Sequence, residues 1–332
     1  MAAKRIAVTG SIAQDHLMSF PGSFTDQLVG DLSSISLSFL VDDLEIRRGG
    51  TAANICVGMG QLGVEPVLVG AVGQDFLGDD EAWLQRHGVD TSGVWVSKDA
   101  HTARFLCTTD EHENQLASFY PGAMSEARRI ELAPIVERVG SVDWVLVAAN
   151  DPEAMARHTD QARHLGIPFI ADPSQQLPRM DGPATRQLID GADILIANEY
   201  ERALTEDKSG WSADEIADRV RIRVTTHGPK GVTIEVRDHA TIELPAVPPR
   251  PGVKVEPTGA GDAWRAGFLS GLCVDLPLEA SAQLGCVVAT QCLETVGPQE
   301  YRVGLDAAMD RLEGAYGREA AERIRSALSA GE

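Results

Sequence analysis

In 332 residues the chain sets 29 lysines and arginines against 49 aspartates and glutamates, a formal net charge of −20 (29 − 49). A field of that sign repels polyanions, which argues against a nucleic-acid binder and requires any phosphate site to be local, made of backbone amides and a metal ion. Five scattered cysteines with no C-x-x-C pair exclude a disulfide framework and a zinc site, no apolar run is long enough to span a bilayer, and the expected location is the cytoplasm.

Short apolar runs recur in chain order as "RIAVTG", "PVLVGAVG", "DWVLVAAN", "PFIADP", "DILIANE" and "RIRVTTHG", mostly separated by amphipathic stretches such as "EAMARHTDQARHL". That alternation predicts an α/β fold, a mostly parallel sheet with helices on both faces. Two stretches break the rhythm. From about Asp15 to Arg48, and again over about 101–121, the pattern is alternating or hairpin-like, with the polar turn "DEHEN" between two strand candidates. These segments predict a small β-sheet standing off the main layer, a lid over a site at the sheet's carboxyl edge.

Between the two lid segments lies "GMGQLG", Gly58 to Gly63, which satisfies the dinucleotide fingerprint letter by letter. Its context is wrong, because the fingerprint follows a strand and opens a helix, whereas here the glycines sit late in a predicted helix and the strand comes afterwards. Gly63 is expected to end that helix, with Gly58 and Gly60 allowing close packing against the sheet. Further on, "DPSQQLPR" puts Gln175, Gln176 and Arg179 just past a strand's carboxyl end, where open α/β sheets bind ligands. "PAVPPRPG" reads as a rigid connector, and the last thirty or so residues as a pair of surface helices.

The connector leads into "VEPTGAGDAWRAGF". The extended approach followed by an amphipathic helix puts Gly259, Ala260 and Gly261 at a helix N-terminus, where free N–H groups and the helix dipole favour an anion. Glycine lets a phosphate approach the backbone closely. Asp262 would repel that phosphate unless it accepts the proton of a hydroxyl that attacks the phosphorus; the plain alternative is a helix N-cap.

These motifs identify a resemblance. "TGAGDAWRAGF" looks like the second signature of the ribokinase-type (PfkB) carbohydrate and nucleoside kinases, and "RRGGTAANICVGMGQLG" like the first. "ANEYE" supplies an N-x-x-E element, "VTTHGPKGV" resembles the family's nucleotide turn, and the likeness spans nearly the whole chain. Within the family, "AVTGSIAQDHLM", "HTARF" and "ADPSQQL" are similar to the bacterial adenosine kinase branch. The resemblance implies one ribokinase-like three-layer α/β/α kinase domain over 1–332. It also implies a purine-salvage enzyme that phosphorylates adenosine with ATP and Mg²⁺, the alternative being a kinase of another nucleoside or a sugar.

The implied roles follow residue by residue. Asp262 is the proton acceptor, with Gly259, Ala260 and Gly261 as anion hole. Asp15 holds the ribose hydroxyls, with Gly49, Gly50, Asn54 and Ser11 beside it. Phe105 and Phe119 stack on the base, and Gln175, Gln176 and Arg179 reach the nucleoside. Asn198 and, through water, Glu201 organise Mg²⁺, while Thr226, Gly228, Gly231 and Gly261 hold ATP. Glu256 and Pro257 replace the family's usual Asp-Thr beside a monovalent-cation site of some members, which leaves potassium dependence open. Trp264 replaces a usual Phe, a volume change in a packed helix. The lid sheets are expected to pair in a homodimer, because Ile35, Leu37, Phe39 and Val41 would put four apolar residues on one strand face, with Ser38 reaching the partner's nucleoside pocket.

Overall fold

The computed structural model describes residues 4–27 and 38–330. Its strands are β1 Ile6–Thr9, β2 Ala13–Ser19, β3 Asp43–Gly49, β4 Val67–Val72, β5 Asp90–Val96, β6 Ala103–Thr109 and β7 Gln115–Tyr120. They continue with β8 Trp144–Val147, β9 Phe169–Ala171, β10 Ile194–Asn198, β11 Ile222–Thr226, β12 Val232–Val236 and β13 Ile242–Leu244. Nine of them form one sheet in the order β13-β12-β11-β10-β9-β8-β1-β4-β5, parallel from β11 to β5. At the other edge β12 and β13 add two antiparallel strands, which the chain's apolar runs do not announce.

Alternate side chains of the central strands go to opposite faces, as the pleat dictates. Ile6 and Val8 of β1 join one buried cluster with the helices Thr51–Gln61, Ala260–Cys273 and Leu278–Leu293. Ala7 joins the other, with Met155 and Ala162 of the helix Pro152–His164. Helices therefore cover both faces, as the alternation of strands and helices predicts. All five cysteines are free and buried. Among the described residues no helix is long and apolar enough to cross a membrane.

The remaining four strands make a separate sheet in the order β3-β2-β6-β7. The "DEHEN" turn joins β6 to β7, and the Asp110 carboxylate ties it down by accepting N–H bonds from Phe24, His112 and Asn114. Against the opposing effect of burial, a further bond from Asn114 Nδ2 at 3.0 Å and those three hold the Asp110 carboxyl at about 2. Of the strand expected over 35–41, the described part, 38–41, is not in a strand. Ile35 and Leu37 lie outside the described residues, β3 begins only at Asp43, and Phe39 leaves the alternation to pack its ring 4.7 Å from Phe20 and 5.3 Å from Phe24. The three rings pack against one another instead, with Phe20 and Phe24 buried.

The "GMGQLG" glycines serve packing, against different neighbours from those expected. A Cβ on Gly58 would lie 2.5 Å from Ala266 of the helix Ala260–Cys273, and one on Gly60 would collide with the His87 carbonyl. The contact is thus helix on helix and helix on turn, not helix on sheet. Gly63, at φ 80°, follows the helix end as expected.

Candidate active site

The carboxyl ends of β1, β8 and β9 open into a cavity of about 360 Å³ that the small sheet roofs. The roof is built from one row across four strands. Arg47 of β3 pairs with Asp15 of β2, Asp15 with Phe105 of β6, and Phe105 with Phe119 of β7. Side chains in register across a sheet share a face, and Asp15, Phe105 and Phe119 all line the cavity. Burial raises the Asp15 carboxyl above its ordinary range, with Arg47 partly opposing.

On the floor, Ser11, Gly50 and Asn54 come from the β1–β2 connection and the start of the helix Thr51–Gln61. Gln175, Gln176 and Arg179 come from the turn after β9, with Gln175 Nε2 donating to Thr51 Oγ1 at 3.1 Å. Gln176 is buried with its Oε1 unpartnered. Ser11 Oγ accepts the Thr51 N–H at 3.0 Å, so it closes the helix start while it lines the cavity. Gly50, at φ 95°, passes so close to the Ser11–Ala13 backbone that a Cβ would sit 2.6 Å from the Ser11 carbonyl oxygen. Gly49 stands behind the wall, with the Asp15 carboxylate packed against it. Ser38 is exposed and does not line this cavity.

A second cavity of about 510 Å³ lies on the other side of the Gly259–Asp262 turn. Thr226, Gly228 and Gly231 line it, as do the connector residues Ala246 to Pro249 and Ala260 and Gly261. Gly231 has no alternative here, because at φ 115° a Cβ would meet the Leu244 carbonyl oxygen at 1.9 Å. Trp264 also lines this cavity, stacked 4.9 Å from Phe268, so the aromatic treated as a packing change in the sequence is part of the wall. His227 is held by Thr233 at 2.9 Å and Glu199 at 2.9 Å.

Gly259 caps the helix Ala260–Cys273 in the left-handed conformation, φ 80°. The Ala260 N–H closes a turn onto the Pro257 carbonyl at 3.2 Å, so one of the three amides expected to face an anion is already engaged. Gly261 keeps a first-turn position, where N–H groups have no intrahelical acceptor. Asp262 is not an N-cap. It sits inside the first turn and lines the first cavity, its Oδ2 accepting from Asn54 Nδ2 at 2.8 Å. Burial pushes its carboxyl up to about 6; Arg265 and the Asn54 bond oppose this, while Asp172 and Glu201 add to it. Arg265 in turn pairs with Asp172 at 2.5 and 2.6 Å, both side chains buried.

Asn198 and Glu201 form a capping box, Asn198 Oδ1 accepting the Glu201 N–H and Glu201 Oε2 the Asn198 N–H, each at 2.8 Å. Burial and Asp172 raise the Glu201 carboxyl. Among the described residues no group of three or more His, Cys, Asp or Glu could cage a metal. Asn198 and Glu201 offer two oxygen-bearing side chains rather than a cage, a set compatible with magnesium, which keeps most of its water shell and takes phosphate oxygens with few protein ligands. Glu256 bonds Thr258 Oγ1 at 2.6 Å and faces Arg47 at 3.9 Å. Sequence reasoning missed Asp172 and Arg265, though both stand three residues from predicted site residues, Gln175 and Asp262, in motifs already singled out; it also missed Pro298, which lines the cavity, and Trp83 and Gln299, which reach Asp262 through Asn54 from distant parts of the chain that no spacing signal connects.

The pfkB family carbohydrate kinase profile matches residues 17–302. Among solved structures, the nucleoside kinase of Burkholderia thailandensis in complex with inosine is 33% identical with a TM-score of 0.80, covering 94% of this chain and 98% of that one. The nucleoside kinase of Methanocaldococcus jannaschii is 29% identical over 266 residues, 80% of this chain and 85% of that protein. The adenosine kinase of Saccharomyces cerevisiae is 28% identical over 160 residues, only 44% of this chain and 47% of that protein. A match over 17–302, on a ribokinase-like fold with two cavities meeting at a glycine-capped helix, shows that the chain belongs to the pfkB family of carbohydrate kinases.

Proposed function

We propose that this chain is an ATP-dependent nucleoside kinase that transfers the γ-phosphoryl group to the 5′-hydroxyl of adenosine, giving AMP and ADP. The observation that carries the reading is the meeting of two cavities at the Gly259–Asp262 turn, one lined by Asp15, Phe105 and Phe119 and the other by Thr226, Gly228 and Gly231. A nucleoside needs a flat apolar clamp for its base and a carboxylate for its vicinal hydroxyls, and one row of the small sheet supplies both. Gln176 adds a buried acceptor that suits the exocyclic amine of adenine.

In this account the 5′-hydroxyl gives its proton to Asp262 as its oxygen bonds to the γ-phosphorus and the bond to the ADP oxygen breaks. The Gly261 amide and the helix dipole take up the charge. Magnesium, when bound, neutralises phosphate charge, and Glu201 through water and Asn198 would hold it. Closure of the small sheet excludes water that would otherwise hydrolyse ATP. The testing experiment is an ADP-release screen over adenosine, inosine, guanosine, ribose and fructose 6-phosphate. Release with adenosine foremost supports the reading, and release with a free sugar alone sinks it. The inosine complex of the Burkholderia kinase favours, as a second reading, a wider purine range.

Phe105→Ala and Phe119→Ala are each expected to weaken adenosine binding by roughly 1 to 3 kcal/mol with little change in the KM for ATP, since stacking is lost on the acceptor side alone. Equal losses in both constants would contradict the base clamp.

The lids also support a homodimer. The face of the small sheet away from the cavity exposes Leu44 by 53%, Ile46 by 55%, Leu116 by 44% and Tyr120 by 41%. A second copy would cover them, and Ser38, outside its own cavity, would then reach the partner's nucleoside. Light scattering at micromolar concentration is expected to give twice the monomer mass; a fully active monomer there would contradict pairing.

A further inference from the structure

Asn54 bonds two partners at once. Its Nδ2 donates to Asp262 Oδ2 at 2.8 Å, and its Oδ1 accepts from Gln299 Nε2 at 2.9 Å. Gln299 is 2% exposed, and its Oε1 accepts from the indole Nε1–H of Trp83 at 3.1 Å. An amide taken alone fits either way round, its oxygen and NH₂ being nearly the same size, but this chain of bonds has one polarity. Indole N–H is a donor only, so Gln299 must turn its oxygen to Trp83 and its NH₂ to Asn54. Asn54 must then turn its oxygen to Gln299 and its NH₂ to Asp262. Trp83 is itself fixed, with the Arg48 guanidinium of β3 lying 4.7 Å over its ring and His87 4.4 Å beside it.

We propose that Trp83 and Gln299 are positioning residues for phosphoryl transfer: through Asn54 they deliver a hydrogen-bond donor of fixed direction to one oxygen of Asp262, holding it as a carboxylate and leaving the other oxygen for the acceptor hydroxyl. This rests on the reading of Asp262 as proton acceptor. A donor bonded to the charged form favours that form. With the relay cut, Asn54 is free to flip and present its oxygen to the carboxylate, which disfavours ionisation. The other groups facing Asp262 do not replace the lost donor. Arg265, on the same helix, is held by Asp172; Asp172 and Glu201 carry the same charge as Asp262; Cys292 and Tyr301 are held neutral by burial.

The test compares wild type with Gln299→Met, which keeps length and loses the donor, and Trp83→Phe, which keeps a ring and loses the N–H. The readouts are the pH profile of kcat/KM for the nucleoside and the midpoint of the Asp262 carboxyl followed by carbon-13 NMR without substrates. In Gln299→Met both should move up by about one pH unit, the size that a hydrogen bond to a charged group supplies. Trp83→Phe should move them the same way by less, and activity should recover at high pH while the KM for ATP stays unchanged. A uniform loss at every pH with an unmoved midpoint is what a purely structural role gives, and it overturns the proposal. If Gln299→Met does not fold, Trp83→Phe decides alone, an unmoved midpoint overturning the relay. The NMR midpoint reports the relay independently of catalysis, whereas an active Asp262→Asn enzyme would sink the proton-acceptor reading instead.

Discussion

Replacing Asp262 by Asn is expected to abolish turnover while leaving the binding of adenosine and ATP nearly intact. The substitution preserves size and a hydrogen-bonding oxygen facing Asn54, so the pocket wall stays in place. What it removes is the group that takes the hydroxyl's proton, and base catalysis alone contributes roughly 10²- to 10⁴-fold. Calorimetry for each ligand and kcat for the pair check both halves. Retention of more than about a tenth of the wild-type kcat would reduce Asp262 to a helix-terminus carboxylate. The same chemistry sets the pH dependence. With burial holding the carboxyl at about 6, the base form is lost as pH falls through that value. The wild-type kcat/KM should therefore drop about tenfold per pH unit on the acid side.

Gly259→Ala is expected to lower kcat roughly 10²-fold, the loss seen when a donor to developing charge is displaced. Gly259 sits at φ 80°, a region costly for alanine, and a Cβ would lie 2.4 Å from the Pro298 Cβ. Either the loop 296–299 retreats or the helix start shifts, and a shift of the helix start, which the positive φ also favours once a Cβ is present, displaces the Gly261 amide. Because Pro298 precedes Gln299, retreat of the loop also strains the chain of amides leading to Asp262. Steady-state kinetics with a thermal-melt control separates this from unfolding. A folded Gly259→Ala enzyme with kcat within about threefold of wild type would place the charge-stabilising groups elsewhere.

Much of the fold is written locally. The buried central strands are continuous apolar runs such as "VLV" at 145–147 and "ILIA" at 194–197, which only a sheet covered on both faces needs. The Gly259–Asp262 turn is equally local, since its glycines, its carboxylate and the following helix are adjacent in sequence. The segment around Phe39 deceives because alternation of apolar and polar residues reads the same whether the apolar ones face a sheet or fold into an aromatic cluster. Asn198 and Glu201 carry a similar ambiguity, their spacing being that of a capping box as well as of a metal-organising pair. Contacts between remote elements leave no trace of this kind. Trp83, Asn54, Asp262 and Gln299 meet only because the helices Thr51–Gln61, Asp79–Arg86 and Ala260–Cys273 and the turn after Leu293 pack together, and nothing in the spacing of those four residues announces it.

The central claim is that the hydroxyl in the first cavity receives the phosphoryl group from the nucleotide in the second. Phosphorus-31 NMR of the protein with ATP, Mg²⁺ and adenosine tests it most directly. The account predicts AMP and ADP appearing one for one, with no inorganic phosphate and no reaction when adenosine is omitted. ADP and inorganic phosphate released at the same rate with or without adenosine, or no turnover at all, would contradict it.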